Sequence, residues 1–134
     1  MSPASLWLRL LRTRLRLRLA HWRGASLLAL MAAPERAPSD EERSRGRALA
    51  ARIARVARFV PRSRCLDRAV LLVELARREA LPLRLRLGVR NDAPGFRAHA
   101  WAEDVRGEPY GDVPEALVGF APLEREPGAL EFGR

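Results

Sequence analysis

The chain has no lysine, no glutamine and a single cysteine, Cys65, among its 134 residues. One cysteine excludes an internal disulfide framework. With only two histidines, His21 and His99, there is no ligand set for a protein-only zinc cage. The thiol therefore belongs to a reducing compartment or is kept for its reactivity. No apolar run approaches the roughly 20 residues that a membrane span needs. The longest, Ala25 to Ala33, stops at Pro34 and lies behind an arginine-rich stretch, too far into the chain for a secretory signal. Together these absences point to a cytoplasmic protein with no membrane span.

What is present starts with charge. All 25 basic residues are arginine against 16 acids, a formal charge of +9. An all-arginine composition matches the codon bias of a GC-rich genome as well as a functional choice. The excess sits ahead of Pro61, while acids such as Glu103, Asp104, Glu108 and Asp112 bring the C-terminal half close to balance. That asymmetry implies an acidic partner surface. A 48% hydrophobic content supplies a core, and the length allows one compact domain with a helical extension.

The extension is residues 1–38, Arg/Leu-rich and helical, with Leu8, Leu11, Leu15, Leu19 and Trp22 as its apolar stripe. A second short helix over Ala25 to Ala33 precedes the Pro34–Pro38 connector. This stripe either packs back on the core or docks a partner. Residues 39–134 form the main domain. Ser39 with Glu42 is a capping box that starts a helix with Leu49, Ile53, Val56 and Val60 on one face, stopped by Pro61. Ser63 is the expected N-cap of the next helix, whose middle from Ala69 to Ala76 is apolar nearly all round. That helix runs to about Ala80. The alternation of Leu83 to Val89 predicts a strand, the Asn91–Gly95 stretch a turn, and Phe96 to Glu103 a second strand. A tight turn over Asp104–Gly107 leads to a third strand, Pro109 to Val113, and the Pro/Gly-rich tail shows no strong element. The fold class is α+β, helices first, then a small antiparallel sheet packed on the buried helix carrying Cys65.

Three residues in this frame form a nucleophilic constellation. A thiol in the first turn of a helix gains from the macrodipole and free N–H groups, which favour thiolate. An imidazole on a neighbouring strand takes the proton, and a carboxylate on the next strand orients the ring. If the Asp104–Gly107 turn makes a hairpin, Asp112 falls opposite His99 or one residue from it, about 5 Å apart at Cβ. Glu103 shares the face of His99 but lies roughly 13 Å along the strand. Singly, a cysteine can be a small core hydrophobe, a strand histidine a satisfied polar residue, and an Asp turn chemistry. One topology puts Cys65, His99 and Asp112 in register, and that favours a site.

The order helix-Cys, strand-His, strand-Asp resembles the transglutaminase-like and papain-like cysteine enzymes. More closely, Ser63-Arg-Cys65-Leu-Asp-Arg68-Ala69, then Leu87-Gly-Val89, Phe96-Arg-Ala-His99-Ala-Trp101-Ala-Glu103 and Gly111-Asp112 resemble the lasso-peptide leader peptidases. The likeness runs from about Arg47 to Leu123. It implies a cysteine peptidase that removes the leader of a ribosomally made precursor, after which an ATP-dependent cyclase closes the ring. Cys65 would attack the junction carbonyl, His99 would serve as acid and base, and Asp112 would hold its tautomer. The Cys65 N–H would donate to the oxyanion. No glutamine is present to act as the second donor that some relatives use. The resemblance implies no cofactor or metal, no nucleic-acid partner, and a split type that receives its precursor peptide from a separate leader-recognition protein. Two other readings use the same residues differently: a basic helical adaptor binding nucleic acid or an acidic partner, and an acyltransferase with the same triad and an amine acceptor.

Overall fold

The computed structural model describes residues 1–18, 24–92, 95–111 and 117–123. Four helices come first, α1 (Pro3–Arg18), α2 (Gly24–Met31), α3 (Asp40–Ala57) and α4 (Cys65–Arg78). Four strands come after them, β1 (Arg84–Asp92), β2 (Gly95–Glu103), β3 (Pro109–Tyr110) and β4 (Ala121–Leu123). They form one antiparallel sheet in the order β3-β2-β1-β4. The α+β reading holds, with a fourth strand that the tail did not reveal.

α4 lies at the centre. Val70, Val73 and Ala76 are fully buried, Leu71, Leu72 and Leu75 nearly so, and the helix packs on α1, α3 and β2. On the sheet, Leu85 faces Ala102 and Leu87 faces Ala100 across the β1–β2 ladder. Leu85, Ala100 and Ala102 belong to the same core, and the two alanines let α4 approach β2 closely.

The capping box at α3 forms as expected. The Glu42 N–H donates to Ser39 Oγ at 3.2 Å, and the Ser39 N–H donates back to Glu42 Oε1 at 3.0 Å. Arg36 adds a two-pronged bond to the same carboxylate. These bonds, the Arg36 guanidinium first, hold the Glu42 carboxyl down to about 2. α3 ends at Ala57, four residues before Pro61, and a turn fills the gap. Arg77 of α4 donates to the carbonyl oxygens of Ala29 and Leu30, which the last turn of α2 leaves without internal partners, and to that of Ala32 just beyond it.

α1 overturns one expectation. Its buried side chains are Leu6, Leu10, Thr13 and Arg14, with Leu17 partly covered, and they face α3 and α4. Of the expected stripe, Leu8 is 59% exposed and Leu15 is also exposed, Leu11 packs partly buried against the core, and Leu19 and Trp22 lie outside the described residues. Leu6, Leu10 and Leu17, spaced four and seven apart, and Leu8, Leu11 and Leu15, spaced three and four apart, both follow one face of a helix. The face with the polar Thr13 is the one the core takes, and there the buried Arg14 donates to the Arg62 carbonyl oxygen.

Leu10→Ala is therefore expected to cost about 2–5 kcal/mol in urea unfolding, and Leu8→Ala no more than about 0.5 kcal/mol. Equal losses would mean that the faces are assigned the wrong way round.

Candidate active site

The chain reverses between α3 and α4 through Arg62, a non-glycine residue at φ +57, and then extends through Arg64. Arg64, not Ser63, is the N-cap, so Cys65 is the first residue of α4. The left-handed residue places the turn one position later than the sequence reading had it. An arginine side chain cannot accept from the helix amides. The cap is instead closed from inside, where Asp67 accepts the Arg64 N–H at 2.8 Å and meets its guanidinium at 3.6 Å. Ser63 takes a different role. Its hydroxyl and carbonyl oxygens accept from Arg68 at 3.2 and 3.4 Å, tying the loop to the second turn of α4. The first helical bond here is donated by the Arg68 N–H to Arg64, so the Cys65 N–H faces no carbonyl within its own helix.

Cys65 is a free, half-buried thiol. It lines a cavity of about 40 Å³ between α3, α4 and the β2–β3 edge. Small residues make much of the wall, Ala50 and Ala54 from α3, Ala69 from α4, Ala100 and Ala102 from β2, and Gly111 after β3, with Ile53 and Leu72 between them. Arg68, Trp101 and Tyr110 complete the rim.

His99 immediately precedes Ala100 in β2 and pairs with Gly88 across the ladder. It does not line the cavity. Its ring stacks on Trp101 at 6.0 Å and meets Phe120 at 5.4 Å. Glu103 stands two residues beyond Trp101 along the same face. It accepts the indole N–H of Trp101 at 3.2 Å and pairs with Arg84 at 3.3 Å and Arg86 at 2.9 Å. Glu103 is thus engaged by Trp101 and two arginines, in keeping with its distance from His99. Asp112 lies outside the described residues. The β2–β3 pairs that are described, Ala102 with Tyr110 and Glu103 with Pro109, match the hairpin register argued from the turn. The strand beyond Tyr110 was expected to reach Val113. Gly111 bends at φ +93, and residues 112–116 lie outside the described residues. Among the described residues no group of three or more His, Cys, Asp or Glu side chains converges as metal ligands would.

The family model of the transglutaminase-like superfamily matches residues 7–125. The chain belongs to that superfamily. No curated protein and no solved structure matches it. The matched span includes α1 along with the sheet, in line with the burial of Leu10 beside α3 and α4. Transglutaminase-like proteins are typically cysteine peptidases or acyltransferases, so a nucleophilic thiol is the chemistry that membership brings.

Sequence reasoning missed two structural features beside these candidate residues. One is Gly88. A Cβ there would lie 2.7 Å from the Trp101 ring, so glycine makes room for the indole that flanks His99. A lone glycine in an otherwise alternating strand was the available signal. The other is the Asp104–Tyr110 lock. Asp104 is buried and accepts the N–H groups of Arg106 and Glu108 and the Tyr110 hydroxyl at 3.1 Å. Burial first, and then the Asp104 charge, push the Tyr110 phenol up to about 12.

Tyr110 is the only tyrosine, so absorbance of the tyrosinate reports it alone. The folded midpoint should lie near 12, against about 10 in denaturant. A raised pKa means this contribution to stability is whole below pH ~10 and is lost as pH rises through the folded value. A folded midpoint near 10 would contradict the lock.

Proposed function

We propose that this transglutaminase-like chain is a cysteine peptidase that removes the leader from a lasso-peptide precursor, with Cys65, His99 and Asp112 as its triad. The observation that carries the reading is the placement of the only thiol as the first residue of α4, lining a cavity beside the strand β2 to which His99 belongs. The Cys65 thiolate attacks the carbonyl at the leader–core junction. Its own N–H, free of the helix ladder, donates to the oxyanion. The carbon–nitrogen bond breaks, His99 protonates the departing core amine, and the leader remains as a thioester on Cys65. His99 then takes a proton from water, the hydroxide attacks the thioester, and the leader carboxylate leaves with the thiol restored. Asp112 holds the imidazole tautomer. The reaction needs no cofactor. The chain works in the cytoplasm with a separate leader-recognition protein that delivers the precursor peptide, and an ATP-dependent cyclase uses the amine released. An encoded neighbourhood holding a short precursor, such a cyclase and a leader-binding protein is the companion observation expected.

The superfamily favours a second reading equally in its first half-reaction, in which an amine rather than water resolves the thioester. Product mass separates them, since hydrolysis adds water and transfer adds the amine.

Cys65→Ala should abolish leader removal, monitored by mass spectrometry, with circular dichroism unchanged. His99→Ala should match it, a loss of about 10³-fold or more, because nucleophile and base act as a unit. Asp112→Asn should fall between these and Glu103→Gln, whose effect is chiefly on stability through Arg84, Arg86 and Trp101. Turnover by folded Cys65→Ala would end the peptidase reading. A severe Glu103→Gln beside a mild Asp112→Asn would displace Asp112 from the triad.

A further inference from the structure

Four guanidinium-bearing residues gather around the loop that delivers Cys65. Arg14 of α1, itself buried, donates through Nε to the carbonyl oxygen of Arg62 at 3.4 Å. Arg62 holds its left-handed backbone there with an exposed side chain. Arg64, the residue before Cys65, leaves half of its side chain open to solvent. Arg18 closes the last turn of α1, four residues and one helical turn beyond the Arg14 that holds the Arg62 carbonyl, and so on the same face. Repulsion by Arg14 first, then burial and the charges of Arg62 and Arg64, lower its pKa below the ordinary guanidinium value.

Among the described residues one acid, Asp67, is coupled to this group, and it is already used. Asp67 is fully buried, accepts the Arg64 N–H and pairs with the Arg64 guanidinium. Among the described residues neither Arg18 nor Arg62 makes an ion pair. Like charges held together cost free energy unless something neutralises them. The positive end of the α4 macrodipole lies at the same place and adds to the field. An arginine cluster of this kind is matched by carboxylates, whose two oxygens fit the guanidinium fork.

We infer that the rim formed by Arg18, Arg62 and Arg64 binds an acidic stretch of the peptide substrate, seating one or more Asp or Glu carboxylates close to the bond that Cys65 attacks. For its meaning as substrate selection this rests on Cys65 being the nucleophile. The field of the rim can be read without that assumption.

Because Cys65 is the only thiol, alkylation of the full chain reports the site alone. The rates with iodoacetate, which carries the carboxylate, and with neutral iodoacetamide are measured at low ionic strength. Their ratio is normalised to the ratio for 2-mercaptoethanol. A preference for iodoacetate of about tenfold or more is expected, the lower range for a focused field on a charged reagent. It should collapse in ~1 M salt, where screening acts over about 3 Å. R18Q/R62Q should lower the ratio severalfold; any change in the thiolate fraction slows both reagents alike and cancels in the ratio. Either single exchange serves if the double variant loses its circular dichroism. A short polyglutamate peptide should slow the reaction, and polyglutamine of equal length should not. A normalised wild-type ratio within about twofold of unity at low salt would overturn the inference. So would an unchanged ratio in folded R18Q/R62Q, or equal protection by the two peptides. A precursor left uncleaved while the iodoacetate preference holds would end the peptidase reading and leave the anion-binding rim standing.

Discussion

Burial of α4 on almost every side is the constraint that sets the other placements. A helix with Val70, Val73 and Ala76 fully covered can neither slide nor turn without exposing apolar surface or opening a cavity. Its position is set by contacts along its middle, and its first residue is then held by consequence. Asp67 and Arg68 refine that end, one by capping Arg64 from inside the helix and the other by holding Ser63. The thiol thus sits on a rigid element with a backbone amide beside it, the arrangement that acyl chemistry on sulfur requires.

The sheet divides its work between two faces. Ala100 and Ala102 turn toward α4 and wall the cavity, while His99, Trp101 and Glu103 alternate onto the other face. There, two arginines fix Glu103, Glu103 receives the indole of Trp101, and the indole stacks beside the imidazole. Gly88 underlies this arrangement by leaving space for the ring. A histidine flanked by Trp101 and Phe120 has fewer orientations open to it than one in solvent.

Much of this was legible in the sequence, for identifiable reasons. α3 and α4 were read from one-sided and all-round apolar patterns, and the structure buries Leu49, Ile53 and Val56 as expected. The first two strands are legible from alternation and from β-hairpin pairing of near neighbours. α1 was read as a helix, but its face was not recoverable, because leucine occurs on two sides and packing alone chooses between them. β4 was invisible because it is three residues long, contains Pro122, and pairs with a β1 strand more than thirty residues earlier. The Arg64 cap escaped because Ser63 is the better capping residue on local chemistry. Asp67 at the third helical position was the clue to the true start. The relation of His99 to Glu103 was legible because side-chain period along a strand is fixed.

Covalent acylation of Cys65 is the event on which the proposed chemistry depends. The most direct measurement is intact-mass spectrometry of the enzyme quenched in acid during the first turnovers on its precursor. An adduct of the leader's mass is expected on the chain, located to Cys65 by peptide mapping, lost on exposure to hydroxylamine, and missing from His99→Ala. Leader release at full rate with no adduct at any quench time, or an adduct mapped to another residue, would contradict it.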